Sequence, residues 1–200
     1  MTDIKFLNLF IIGPSGCGKS TQAKLIADKF GLTHLSAGQI LRDEAATGSH
    51  YSGEIKRSQA AGVPTSDDVV LPLLSQKFTT LNYQNFIMDG FPRLVTQGHY
   101  IDRFLIDKGY PTTLLIHLKA DFAEIVRRRQ VAGKQFQSED KDRTDNTPEA
   151  IATRQKILYE SNVGPVLEYY RNIGKLFEVD GNRPIEPIFE DIVKEIEKIK

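Results

Sequence analysis

Only one cysteine, Cys17, occurs in the 200-residue chain. No intrachain disulfide can form, a four-cysteine zinc site is excluded, and no structural zinc is expected. An excess of charge of either sign is also missing, because 26 Lys and Arg side chains face 26 Asp and Glu. Proteins that grip a phosphate backbone carry a basic surplus. The balance therefore argues against a nucleic-acid partner, and any phosphate ligand must be met by local clustering of basic groups. Long apolar runs are absent as well. The stretch 6–12 is too short to span a bilayer and has no cleavage signature, so a membrane partner is not expected and a cytoplasmic, reducing compartment is. No internal repeat interrupts the chain. Hydrophobic residues at 40% and charged residues at 26% are ordinary for a soluble protein, and a chain of this length buries roughly 70% of its unfolded surface in one domain.

Short apolar runs at 6–12, 33–35, 86–88, 113–118 and 176–179 read as strands. The first, third and fourth show little alternation, the pattern of strands buried on both faces of a parallel sheet. Helical spacing lies between them. Ala23, Ile26, Ala27 and Phe30 share one face, with Gly31 placed to end the helix. Ile185, Ile188, Phe189, Ile192, Ile196 and Ile199 form a second stripe. Alternation of strand and helix predicts an α/β fold with helices on both faces of the sheet. Two stretches depart from it. Residues 37–82 read as helices broken at Gly48, Gly53 and Gly62-Val63-Pro64, and residues 133–147 are very polar, in the manner of a lid or surface loop.

Gly13-Pro-Ser-Gly-Cys-Gly-Lys-Ser20 fits G-x-x-x-x-G-K-[ST], between the first strand and the first helix. Glycines let the backbone curl so that successive N–H groups face phosphate oxygens. The helix that follows presents its positive end to the same oxygens. Lys19 is placed to reach the outer phosphates, and Ser20 to ligate Mg²⁺. Asp89 closes the third strand, where a carboxylate can hold Mg²⁺ through water. A GTPase is not indicated: the chain has no Asn-Lys pair, and its D-x-x-G match at 28–31 ends the first helix.

Arginines cluster at structural breakpoints. Arg42 follows Ser36-Ala-Gly-Gln-Ile-Leu41, Arg93 closes Asp89-Gly-Phe-Pro-Arg93, Arg128 lies in Arg127-Arg-Arg129, and Arg143-Thr-Asp-Asn is followed eleven residues on by Arg154. With the phosphate loop, these motifs resemble, over essentially the whole length, a nucleoside monophosphate kinase of the adenylate kinase family, short-lid type. The resemblance implies a P-loop NTPase-type three-layer fold with a five-stranded parallel sheet. It implies one kinase domain over 1–200, with a core at 1–36, 83–129 and 148–200, a helical monophosphate-binding lobe near 37–82 and a short lid near 130–147. It also implies reversible transfer of a phosphoryl group from Mg-ATP to a nucleoside monophosphate, by a monomer.

Carried over by motif, Gly13, Ser15, Gly16, Cys17, Gly18, Lys19, Ser20, Thr21 and Arg128 would hold ATP. Ala37, Gly38, Arg42, Gly90, Arg93, Gln97, Arg143 and Arg154 would hold the monophosphate. Lys19, Arg93, Arg128, Arg143 and Arg154 would act on the transferring group, Ser20 and Asp89 on Mg²⁺, and Asp145 would orient the lid arginines. Phosphoryl transfer asks for positioning and charge stabilisation, and planar guanidinium groups clamp phosphate oxygens in pairs. A closing lid keeps the donor from reacting with water.

The match has departures. Ala132 stands where the family usually has another lid arginine, with Lys134 nearby. The lid is a few residues longer than in typical short-lid members, its hinge pair is Asp145-Asn146 where the family usually has Asp-Asp, and Ser36-Ala-Gly-Gln39 replaces the usual Ser-Thr-Gly-Asp. Gln97 fits AMP as the acceptor, because an amide offers adenine a donor and an acceptor together. Ser36-Ala-Gly resembles UMP/CMP kinases, so a UMP/CMP or broad-specificity kinase stays open, as does a nucleotide-binding regulator without turnover. Cys17 reads as a small packed residue and His117 as a hydrogen-bonded core histidine. His34, His50 and His99 show no metal spacing.

Overall fold

The computed structural model describes residues 6–132 and 155–199. One parallel sheet of five strands runs in the order β2-β3-β1-β4-β5. The strands are β1 (Asn8–Ile12), β2 (Thr33–Ser36), β3 (Phe86–Asp89), β4 (Leu114–Lys119) and β5 (Leu176–Asp180). Helix α1 (Lys19–Phe30) links β1 to β2. Helices α2 (Ala37–Ala46), α3 (Ser52–Ala61) and α4 (Asp67–Thr80) separate β2 from β3. Helix α5 (Val95–Asp107) precedes β4, and α6 (Phe122–Ala132) follows it. A π-helical turn (Gln155–Glu160) leads into α7 (Ser161–Asn172), and α8 (Ile185–Ile199) ends the described chain. The expected α/β class and parallel sheet are both present.

Every residue of β1 and β3 is buried, which explains their unbroken apolar runs. Side chains alternate between two cores, as the pleat requires. Leu9 and Ile11 face Ala23 and Ile26 of α1, Ile125 of α6 and Ile188, Ile192 and Ile196 of α8. Phe10 and Ile12 face the opposite core, filled from α2, α3, α4, α5 and α7 by Ile40, Ile55, Phe78, Ile101 and Tyr170. Asn8 is the polar exception inside β1. Its side-chain amide donates to the Tyr83 and Tyr110 carbonyls, each at 2.8 Å, and so ties the segments entering β3 and β4 to the central strand.

Helix ends follow local chemistry. Gly31 closes α1 at φ 65°, with its N–H on the Ala27 carbonyl. Gly62 closes α3 in the same left-handed region at φ 67°. One expectation changes. Gly53 lies within the first turn of α3 and breaks nothing; the break between α2 and α3 falls before it, in the segment that holds Gly48 at φ 75°. The stripe from Ile185 to Ile199 is helical as expected; Ile185 at its mouth is 48% exposed, and the buried part begins at Ile188. The lid expected near 130–147 falls outside the described residues from 133 onward. Among the described residues no helix is long and apolar enough to cross a membrane.

Phe10 is fully buried, with the Phe78, Phe86 and Phe91 rings 5.7–6.3 Å from its own. Phe10→Ala is expected to destabilise the protein by about 3–5 kcal/mol, because the three fixed rings cannot collapse into the void. A denaturant titration checks this as a lower midpoint at unchanged slope.

Candidate active site

The loop between β1 and α1 is shaped by what cannot fit. A Cβ on Gly13 would sit 2.3 Å from the Leu118 carbonyl oxygen of β4, so the backbone passes directly against that strand. Gly16 and Gly18 hold φ of 89° and 102°, and Gly18 is the N-cap of α1. The loop therefore ends on a helix N-terminus, where N–H groups lack intrahelical partners and favour an anion. Lys19 curls back over it, its Nζ donating to the Pro14 carbonyl at 2.7 Å. Cys17 is packed inside the core at 1% exposure, and burial raises its thiol pKa against the opposing pull of Lys19.

Parallel pairing brings an acidic residue to this loop. Asp89 ends β3 opposite Ile11 of β1 and Ser36 of β2, and the Gly90 N–H donates to the Ile11 carbonyl at 3.0 Å. The Ser20 hydroxyl donates to Asp89 Oδ2 at 2.5 Å. His34 Nε2 lies 3.9 Å from the same oxygen. Ser20 and Asp89, 69 residues apart in sequence, thus form one hard-oxygen pair at the edge of the loop.

Arg93, Arg42 and Arg128 reach the same end of the sheet by different routes. Beyond the turn at Gly90, φ 79°, Arg93 Nε donates to the Gly90 carbonyl at 3.1 Å. Arg42 Nη2 donates to Gln39 Oε1 at 2.6 Å, and Gln39 Nε2 donates to Asp43 Oδ1 at 2.6 Å. The missing Cβ of Gly38 leaves room for that guanidinium, which would otherwise stand 3.3 Å from it. Arg128 crosses to the phosphate loop, donating to the carbonyls of Cys17 at 3.3 Å and Arg183 at 3.0 Å. Its neighbour Arg127 stays out in solvent on Glu124. Glu124 also accepts from Arg128 Nε at 2.6 Å, and its bonds to Arg127 and Arg128 hold its carboxyl down at about 2.

A family model described as adenylate kinase matches residues 11–175. The adenylate kinase of Synechococcus sp. (strain CC9311) is 34% identical over 184 residues, covering 92% of this chain and 95% of its own. That of Nitrobacter hamburgensis is 32% identical over 194 residues, covering 96% and 93%. The chain belongs to the adenylate kinase family. It is an adenylate kinase-type phosphotransferase that binds ATP and moves a phosphoryl group reversibly between nucleotides.

Within this adenylate kinase-type chain, the structure gathers the loop residues Gly13, Ser15, Gly16, Gly18 and Lys19 with Ser20, Asp89 and Arg128. Thr21 follows in α1, and Ala37 opens α2 with 4% exposure. Arg143, Asp145 and Arg154 lie outside the described residues, as does Lys134. Gln97 is 2% exposed and is held by protein groups on both ends of its amide. Its Oε1 accepts the Arg93 and Leu94 N–H groups at 2.9 and 3.3 Å, and its Nε2 donates to Asp67 at 2.9 Å. Asp67 and Glu124 are site neighbours that the motifs did not reveal. Glu124 was findable as a partner four residues before Arg128, whereas Asp67 has no such local signal.

His117 is the expected core histidine. It lies opposite Ile12 in the sheet, with Nδ1 3.1 Å from Glu178 Oε1 and Nε2 2.5 Å from the Tyr159 hydroxyl. Burial holds the ring pKa below its ordinary 6.5, against the raising effect of Glu178. An unfolded chain takes up that proton first, so the ring's contribution to stability is present above pH 6.5 and is lost as pH falls toward the lowered native value. Unfolding midpoints measured from pH 7 to 5 are expected to fall more steeply for the native protein than for His117→Gln.

Proposed function

We propose that the chain transfers the terminal phosphoryl group of Mg-bound ATP to AMP, and back. The observation that carries this reading is the Ser20–Asp89 contact at 2.5 Å, which joins the end of the phosphate loop to the strand end from which Arg93 departs. Donor and acceptor phosphates must meet in line although both are negative, and this is the edge where N–H groups, Lys19 and arginines converge.

In this reading the loop N–H groups, Lys19 and Thr21 grip the ATP phosphates. Arg128, steadied by Glu124, closes that side. Arg42 and Arg93, with Ala37, Gly38 and Gly90, hold the acceptor phosphate, and Gln97 meets its base. Arg143 and Arg154 act on the transferring group. Residues 37–82 serve as the monophosphate-binding lobe and 130–147 as the lid of a single domain. The chain acts as a cytoplasmic monomer with no nucleic-acid partner.

A hydroxyl beside a carboxylate suits Mg²⁺, which binds few protein groups and completes its shell with water and substrate phosphates. Among the described residues there is no cluster of three or more His, Cys, Asp or Glu able to hold a metal. Ser20 directly and Asp89 through water would hold the ion, which neutralises charge on the phosphate oxygens when bound.

Arg93→Ala is expected to lower kcat on the order of 10³-fold, by analogy with other arginines that stabilise a transferring phosphoryl group. Product formation from Mg-ATP with AMP, CMP, UMP and GMP in parallel tests the acceptor. AMP is expected to give the highest kcat/KM. Preference for UMP or CMP would move the decisive role to Ala37, which is buried and has no hydroxyl to offer.

A further inference from the structure

We propose that Glu124 and Arg128 are positioning residues that brace the phosphate loop from outside: Arg128 holds the Cys17–Gly18 peptide so that its N–H faces the ATP phosphates, and Glu124 holds Arg128. The inference rests on the reading that the loop N–H groups grip those phosphates.

The loop has a pliant point. Gly16 and Gly18 flank Cys17 with φ of 89° and 102°, backbone that glycine enters freely. The Cys17–Gly18 peptide borders a residue without a Cβ, so side-chain sterics do not fix its rotation on that side. Its carbonyl and N–H belong to one planar trans unit and point to opposite sides. Whichever group holds the carbonyl therefore also aims the N–H.

Arg128 is that group. Its Nη1 donates to the Cys17 carbonyl at 3.3 Å. Its Nη2 donates to the Arg183 carbonyl at 3.0 Å, in the connection between β5 and α8. Glu124 fixes the guanidinium in turn. It lies in the first turn of α6, four residues before Arg128, and its Oε1 accepts from Arg128 Nε at 2.6 Å. All three guanidinium nitrogens are thus engaged, each on a different segment of the chain. Lys19 grips a second loop carbonyl, that of Pro14, at 2.7 Å. The brace is complete without nucleotide, so the loop is set before the phosphates arrive and less ordering is left for binding to supply. Arg127 provides an internal contrast. It binds the same carboxylate at 2.6 and 2.7 Å but stays in solvent, away from the loop.

NMR of the ligand-free full chain and binding of ATP and inorganic triphosphate test the proposal. In Glu124→Ala the Gly18 amide signal should broaden or divide, while the Gly31 amide at the far end of α1 keeps its signal. ATP affinity should fall about 5-fold, the upper scale of a partly exposed charge pair. Inorganic triphosphate has no base or sugar and should lose the same factor. The KM for AMP should stay within about twofold, a separation that general loosening would not produce. Loss of ATP affinity alone would put Arg128 to work on the base or sugar and overturn the proposal, as would an unchanged Gly18 signal. Arg127→Ala should leave the Gly18 signal and both affinities as they are, and an equal loss there would assign the effect to surface charge instead. Arg128→Lys keeps the charge but cannot span two carbonyls and a carboxylate, so it should lose as much ATP affinity as Glu124→Ala. It serves if Glu124→Ala folds poorly, and native affinity in it would overturn the brace. In an Arg128→Ala background Glu124→Ala should add nothing, and a further loss would show that Glu124 does not act through Arg128. If Lys19→Ala leaves triphosphate binding unchanged, the loop is not the phosphate site and the underlying reading is wrong. If Lys19→Ala weakens it while Glu124→Ala does not, only the brace is wrong.

Discussion

Parallel pairing of β1 between β3 and β4 is the constraint on which the rest of the molecule depends. Parallel strands all point their carboxyl ends the same way, so the loop after β1 and the turn after β3 open on one edge. Register then does the rest. Ile11 stands opposite Asp89, and the Gly90 N–H is bound by the Ile11 carbonyl, so the acidic strand end cannot slide relative to the phosphate loop. On the other side β4 crowds Gly13 so closely that no side chain is tolerated there. A slip by one residue would turn Asp89 to the opposite face and push the loop off its helix. The two apolar cores thus hold the site's geometry as well as the fold.

That geometry suits a reaction with little covalent work for the protein. Burial of β1 and β3 removes water from beneath the loop, which strengthens every charge–dipole interaction above it. Arginine is the fitting cation for such an edge, because its planar fork stays charged and can be steered by neighbours. The structure shows the steering in two places. Glu124 holds Arg128 across the loop, and Gln39 holds Arg42 along α2. Gln39 takes over this position with a neutral carbonyl, where the usual family residue is an aspartate. Arg42 keeps a hydrogen-bond partner at that position. The departure from the family's motif therefore has a local physical reading.

Much of this was legible in the sequence because the signals are local or periodic. Unbroken apolar runs marked the buried strands, and Gly31 and Gly62 marked helix ends through their left-handed backbone. The phosphate loop was legible because its spacing has a mechanical cause. Gly53 was misread because a glycine near a helix start looks like one near a helix end. The isoleucine stripe marked the last helix from Ile185 onward, although periodicity does not say where the neighbouring surface stops and burial begins only at Ile188. Arg128 was singled out among Arg127-Arg-Arg129 by its resemblance to the family motif and by no local signal, since Arg127 also lies within reach of Glu124. Only the fold shows which one crosses to the Cys17 carbonyl.

Gln97 marks the limit of reading roles from residue type. An amide is a good reader of adenine because it donates and accepts at once, and the same versatility lets it cap a helix and bind a carboxylate. Both uses fall on the same atoms, so residue type cannot say which is in force. The competing partners come from the first turn of α5 and from α4, and the second is visible only once α4 has packed. A residue chosen for versatile hydrogen bonding will find protein partners in an empty, buried site, since leaving its polar atoms unpaired is costly. Residue type therefore names the candidates for recognition, and which partners such an amide holds is decided by tertiary neighbours such as Asp67.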